Sequence, residues 1–304
     1  MKLEICYPNF TKKAVSFTID DGNLPMDEKF LSIVGQGGIR GTFNLCPNRM
    51  TALTPSEYRE FYKGYEIANH MSYHPMALDP AREYAVADVP FDPSSADEEK
   101  LYRTEREGLY HMHAHRWLYA ADREAYLAIA EESRLALDEI FGEGSTRSFV
   151  YPYGRQKDGE IYRRLAGSGR YYGIRRTGAV RGTDGFRIPA TLPEWSYTAD
   201  VSCLLPVSEA YEACPAEGGL KFFCFGVHSV DFETAGAWGD LETFVARLGN
   251  REEKFYYATV GEIFAYARAA SAVQVIGHRI SNPSDIPISL LVDGEKVVLP
   301  PDKP

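Results

Sequence analysis

Residues 14–45 read AVSFTIDDGNLPMDEKFLSIVGQGGIRGTFNL, and their reading decides the fold. AVSFTI (14–19) is a short apolar, β-branched run and predicts a strand. A polar turn follows, then DEKFLSIVGQGG with helix-like apolar spacing and glycines at its end. RGTFNL (40–45) predicts a second strand. Two strands joined through a helix run parallel, because the crossover returns the chain to the same end. The alternation recurs: TPSEYREFYKG leads into YEIAN (65–69), and a long helical stretch at 115–141 precedes RSFVY (147–151). DGEIYRRLAGSG then precedes RYYGI (170–174), and KFFCFGV (221–227) is followed by YYATVGEIFAYARAA, where Thr259 and Glu262 are spaced as a capping box. Such a rhythm predicts an α/β fold, a (β/α) barrel or a distorted one. Barrel chemistry sits at the C-terminal ends of strands, and Asp20 and Asp21 occupy one such end.

Two stretches break the rhythm. Residues 79–114, rich in Pro, Asp and Ser, read as an inserted loop placed to cover a site. Beyond 271, AVQVIGHRI, PISLLV and EKVVL read as short strands with an Asp-Gly hairpin turn. The expected organisation is a catalytic domain over 1–270 and a small β appendage over 271–304, too short to fold alone.

Composition limits the function classes. A formal charge of −10 argues against binding a phosphate backbone. No run of about 18 apolar residues is present, so no membrane span is expected. The opening MKLEICYPNF lacks an apolar signal core, and the five scattered cysteines fit reduced thiols; both point to the cytoplasm. Aromatic residues at 13% suit stacking on sugars but equally fill cores.

Adjacent carboxylates raise each other's pKa, so Asp20–Asp21 needs a reason. A nearby cation offsets the repulsion, letting one carboxylate bind a metal while the other takes a proton from water. The plain alternative is a polar Asp-Gly turn. In NHMSYHP (69–75), His70 and His74 are four apart, and on a helical turn both would face one way. Two imidazoles and one carboxylate form a divalent-metal donor set, although such pairs also serve structural roles.

Asp20-Asp21-Gly22, His70-x-Ser72-x-His74-Pro75, Tyr151-Pro152-Tyr153-Gly154 and His228 after an apolar strand together resemble the polysaccharide deacetylases of NodB-homology type, carbohydrate esterase family four. The resemblance covers roughly 12–268. It implies a distorted (β/α) barrel, and a hydrolase acting on carbon–nitrogen bonds other than peptide bonds. Asp20 would be the general base, and Asp21, His70 and His74 the metal ligands. Tyr153 would lend its main-chain N–H to the oxyanion, and His228 would be the general acid. Ser72 would orient its loop through its hydroxyl. One divalent ion is expected, zinc foremost, with cobalt, nickel, manganese or iron fitting the same donors.

The third motif departs from the family pattern. The arginine that pairs with the catalytic base is replaced by Val150, so Arg175 or Arg176 is expected to supply the cation, Arg176 being preferred. No acidic-plus-Trp fourth motif is recognisable; Trp195 is expected to line the pocket or the core. Asp231 is placed to raise the pKa of His228. A second cluster, His111, His113 and His115, reads as a surface stretch beside the insertion. The expected activity is release of acetyl groups from an N-acetylated or O-acetylated sugar or oligosaccharide. The alternatives are hydrolysis of a cyclic amide or ureide on the same fold, or carbohydrate binding without catalysis.

Overall fold

The computed structural model describes residues 2–302 except 98, 113–116, 155–157, 177–185, 189–193 and 278. The chain divides into two compact units, each discontinuous in sequence. One holds Met1–Phe43, Gly64–Glu66 and Gly178–Pro304; the other holds Asn44–Lys63 and Ile67–Thr177.

In the first unit the run AVSFTI becomes the strand Lys13–Asp21, buried along its length save for its last residue. The strand is covered on both faces, so its small polar residues Ser16 and Thr18 are buried along with the apolar ones. Lys221–His228 lies parallel beside it, in register from Lys13↔Lys221 to Asp20↔His228. Phe255–Tyr257 pairs, also parallel, with its opening residues Lys13–Val15. The register therefore sets Asp20 and His228 side by side at the C-terminal strand ends.

Asn23 caps the following helix, Leu24–Val34, by accepting from Met26 N at 3.4 Å, and a left-handed Gly38 ends the turn beyond it. The helix delivers Phe30 to a cluster of rings. Phe17 meets Phe30 and Phe43 edge-on at 4.9 and 5.6 Å, and Phe225 meets Phe244 at 5.1 Å. Each such pair adds about 0.5–1.5 kcal/mol beyond the area it buries. The Thr259–Glu262 capping box forms as expected, at the start of the helix Val260–Ser271.

The C-terminal stretch forms the expected hairpin, Ile288–Val292 with Glu295–Leu299. Its turn is left-handed at both Asp293 and Gly294 (φ 50° and 91°), the geometry that Asp-Gly supplies. The N-terminal strand Leu3–Cys6 adds to the other edge of Ile288–Val292. Four residues are too few for their pattern to have marked that pairing.

In the second unit the strands Glu66–Asn69, Ser148–Val150 and Gly173–Arg176 run parallel, with Phe149 opposite Asn69 and Val150 opposite Arg175. Thr54 and Glu57 close a capping box on the helix Pro55–Phe61. The helical stretch expected at 115–141 is shorter: Leu118–Ala120 is a strand, and Asp122 then caps Arg123–Phe141.

The insertion at 79–114 is not a loop. A five-stranded sheet runs through it, built from Met76–Ala77, Ala85–Val86, Lys100–Arg103, Leu109–Met112 and Leu118–Ala120. Its small core is Leu101, Met112 and Tyr119. Strands of two to four residues between Pro, Asp and Ser are too short to leave a periodic trace.

Among the described residues no helix is long and apolar enough to cross a membrane.

Gly41, before the strand Thr42–Leu45, packs so closely that a Cβ there would lie 2.5 Å from the Phe17 ring and 2.6 Å from its carbonyl oxygen. Gly41→Ala is expected to destabilise the protein by ~1–3 kcal/mol, the usual cost of overpacking. Urea unfolding checks this; an unchanged midpoint would mean that Phe17 yields without cost.

Candidate metal centre and acid–base site

The second unit carries the histidine pair directly beyond Glu66–Asn69. The motif is not helical, contrary to the expectation from its spacing. Met71, Tyr73 and His74 all take positive φ, at 61°, 67° and 49°. A left-handed turn brings the two rings together instead, with Nε2 of His70 and His74 3.0 Å apart.

Each main-chain N–H of this turn is accounted for. His70 N donates to Leu45 O at 3.1 Å and His74 N to Met71 O at 3.3 Å. Met71 N donates to Asn69 Oδ1 at 3.0 Å, Ser72 N to Ser133 Oγ at 2.8 Å, and Tyr73 N to Asn48 Oδ1 at 2.9 Å. Ser72 thus contributes its main-chain N–H, and the orienting hydroxyl belongs to Ser133. Fully buried Asn69 also donates through Nδ2 to Ala130 O at 2.7 Å and to Tyr171 Oη at 3.1 Å. Sequence reasoning missed Asn48, Asn69 and Ser133; an Asn immediately before the first histidine was the one visible signal.

His70 Nδ1 lies 3.0 Å from Val150 O, a carbonyl that can only accept. The proton is therefore on Nδ1, and Nε2 presents a lone pair. Two imidazole nitrogens on one tetrahedral ion with bonds of about 2.0–2.1 Å stand roughly 3.3 Å apart, so the observed spacing fits a shared divalent ion.

Tyr153 is also left-handed (φ 54°), within the turn Pro152–Gly154 after Ser148–Val150. Its ring meets that of His74 at 4.4 Å and that of Trp117, itself 41% exposed, at 5.1 Å.

In the first unit Asp20 is buried, and half-buried Asp21 takes φ 75° with Gly22 following at 74°. Of the nine non-glycine residues with positive φ, Asp21, Met71, Tyr73, His74 and Tyr153 fall in or beside the sequence motifs. Strained backbone of this kind concentrates where geometry matters more than comfort.

His228 ends its strand and caps the helix Ser229–Thr234. One oxygen of Asp231 accepts from His228 N at 2.8 Å and lies 3.0 Å from its Nδ1. Nε2 lies 4.0 Å from Asp21 Oδ2. The Asp231 hydrogen bond, helped by the charges of Asp20 and Asp21, pushes the imidazole up to about 9 against the opposing effect of burial. An imidazole raised in this way keeps its proton to higher pH than a free one.

The remaining expected residues divide. Arg176 is exposed at the end of Gly173–Arg176, whereas Arg175 is buried, 1% exposed. Trp195 is buried against Phe222 and Phe264, at 5.9 and 5.2 Å. His111 stacks on Phe91 at 4.4 Å; His113 and His115 lie outside the described residues.

The polysaccharide deacetylase family model matches residues 8–166. The chain belongs to the polysaccharide deacetylase family. The alternating parallel strands and helices of both units are those of the family's distorted (β/α) barrel, with extra antiparallel strands at the C-terminus. Members of this family generally use a divalent metal ion.

Solved structures similar to this polysaccharide deacetylase family member include the family-4 carbohydrate esterase domain of a multidomain xylanase from the hindgut metagenome of Trinervitermes trinervoides (14% identity, 85% of this chain and 92% of that one, TM-score 0.47). A peptidoglycan N-acetylglucosamine deacetylase matches at 14% identity over 86% and 92%, TM-score 0.44. A family-4 pseudoenzyme from Bacillus anthracis matches at 12% identity over 86% and 68%, TM-score 0.44. No curated protein matches in sequence.

In metal-free protein the His228 imidazole is expected to titrate near 9, and Asp231→Asn to lower that value towards 6.5. The sign also sets stability: a histidine raised on folding adds stability that is complete below about 6.5 and lost as pH rises through about 9. NMR titration of the ring protons decides this; an equal pKa in the variant would remove Asp231 as its cause.

Proposed function

We propose that the protein is a metal-dependent deacetylase that releases acetyl groups from an N-acetylated or O-acetylated sugar or oligosaccharide. The observation that carries this reading is the His70–His74 pair, its Nε2 atoms 3.0 Å apart with His70 Nδ1 fixed on a carbonyl. Asp21, His70 and His74 offer one carboxylate and two imidazoles and would hold the ion, zinc foremost. Bound there, it would act as a Lewis acid that lets water ionise near neutral pH.

The chain's own residues then have distinct tasks. Asp20 takes the proton of the attacking water on its carboxylate. As the water oxygen bonds to the acetyl carbon, the Tyr153 main-chain N–H donates to the carbonyl oxygen gaining charge. His228, held through Nδ1 by Asp231, gives its Nε2 proton to the departing amine or hydroxyl oxygen as the bond to carbon breaks. Acetate and the freed sugar group are the products. Arg176, or Arg175, which is buried and in register with Val150, would supply the cation that tunes Asp20.

Acetate release from a panel of N-acetyl and O-acetyl saccharides, with and without chelator, tests the reading. Release that stops with chelator and returns with a divalent ion is expected. Asp20→Asn should lower kcat by at least ~10²-fold with metal retained, and His74→Ala should lose the metal. No acetate from any substrate, with no uptake of a divalent ion, would overturn it.

Asn69→Ala probes the support of the turn. Outer-shell partners of metal ligands typically matter ~10–100-fold in affinity. Metal titration of the folded variant should show a loss of that order; full affinity would mean that the turn holds without its amide.

A further inference from the structure

The inserted sheet lines, within the second unit, an open pocket of about 690 Å³. Its walls include Tyr73, Phe91, Arg103, Glu105, Arg106 and His111. Tyr73 is one residue before His74 and part of the same left-handed turn, so the pocket opens against the backbone that carries the metal-ligating pair. This size suits a sugar-sized ligand.

The lining carries aromatic rings, two arginines and one acid among the described residues. Phe91 and His111 stack at 4.4 Å with an interplanar angle of 14°, giving a flat wall. Arg106 lies over the Tyr73 ring at 5.0 Å and forms an ion pair with Glu132 through Nη2, but its Nε is buried and makes no hydrogen bond. Arg103, exposed like Glu105, extends from the strand Lys100–Arg103 and forms no ion pair among the described residues. Glu105, the one acid in the lining, is exposed. Two guanidinium groups, one uncommitted and one with a spare donor, stand beside aromatic surface in a protein whose net charge is −10. Guanidinium forks match planar anions such as carboxylates, and aromatic faces match the apolar face of a sugar ring.

We propose that this pocket is an anion-selecting subsite, and that the saccharide is acidic, with a carboxylate-bearing ring beside the acetylated one. The inference rests on the deacetylase reading for its position in the reaction, but not for binding itself. Arg103 is the specificity residue, and Arg106 supports it from the turn side.

Calorimetric binding to the intact protein compares a glucuronate–N-acetylglucosamine disaccharide with neutral diacetylchitobiose. The acidic disaccharide is expected to bind ~10-fold more tightly, a preference that shrinks as salt screens the charge. Arg103→Ala should erase the preference with neutral binding and melting temperature unchanged, and Arg103→Lys should restore it in part. Equal affinities in the wild type, no binding of the acidic disaccharide, or a preference that survives Arg103→Ala would each overturn the proposal. Calorimetry needs no turnover. Binding with the expected preference but no acetate release would sink the deacetylase reading and leave this one standing; the reverse result would do the opposite.

Discussion

The buried amide of Asn69 holds the histidine turn in a conformation its sequence would not choose. Its Nδ2 donates to Ala130 O and Tyr171 Oη, and its Oδ1 accepts from Met71 N, so both ends of the amide are committed. Each left-handed non-glycine residue costs roughly 1–2 kcal/mol. Each buried hydrogen bond returns about 1 kcal/mol net, and more is lost if a buried partner is left unmet. Three strained residues against the bonds from Asn69, Ser133 and Asn48 therefore come near to balance. Met71, buried in the core with Tyr126, Phe149 and Tyr151, tips it towards the turn. The imidazoles meet because a helix, a strand end and a core methionine all constrain the same five residues.

The first unit solves a comparable problem with a single carboxylate oxygen. Asp231 Oδ2 receives both the main-chain N–H and the ring of His228. The contact that starts the helix Ser229–Thr234 thereby also fixes the imidazole and keeps it protonated. Removing the carboxylate would disturb the cap and the imidazole's pKa together. That coupling is why loop aspartates three residues after a strand-end histidine merit attention in sequence.

How much could be read beforehand follows from what each signal needs. Lys13–Asp21 and Lys221–His228 are covered on both faces and announced themselves as apolar runs; Thr259–Glu262 is local and was visible as a cap. The Asp20–Asp21 and His70–His74 motifs were equally plain as residues. The left-handed path between the histidines was not, because it is imposed by Ser133 and Asn48, which are distant in sequence. The sheet through 76–120 was hidden for another reason: its strands are too short to show a period, and their core of Leu101, Met112 and Tyr119 assembles only through pairing.

In the third motif a sheet partner brings an arginine beside Val150. Val150 stands where the family pattern has arginine, and Arg175 is its parallel partner on the next strand. Register partners on parallel strands project to the same face, about 4.8 Å apart, well within the reach of an arginine side chain. Alternation along the strand separates the neighbours: Arg175 is buried like Val150, while Arg176 is exposed. An extended guanidinium from the adjacent strand can restore the cation at a cost of burying its stem, and it frees position 150 to be apolar. The sequence reading preferred Arg176, since residue spacing carries no face; the register adds that Arg175 is the one paired with Val150.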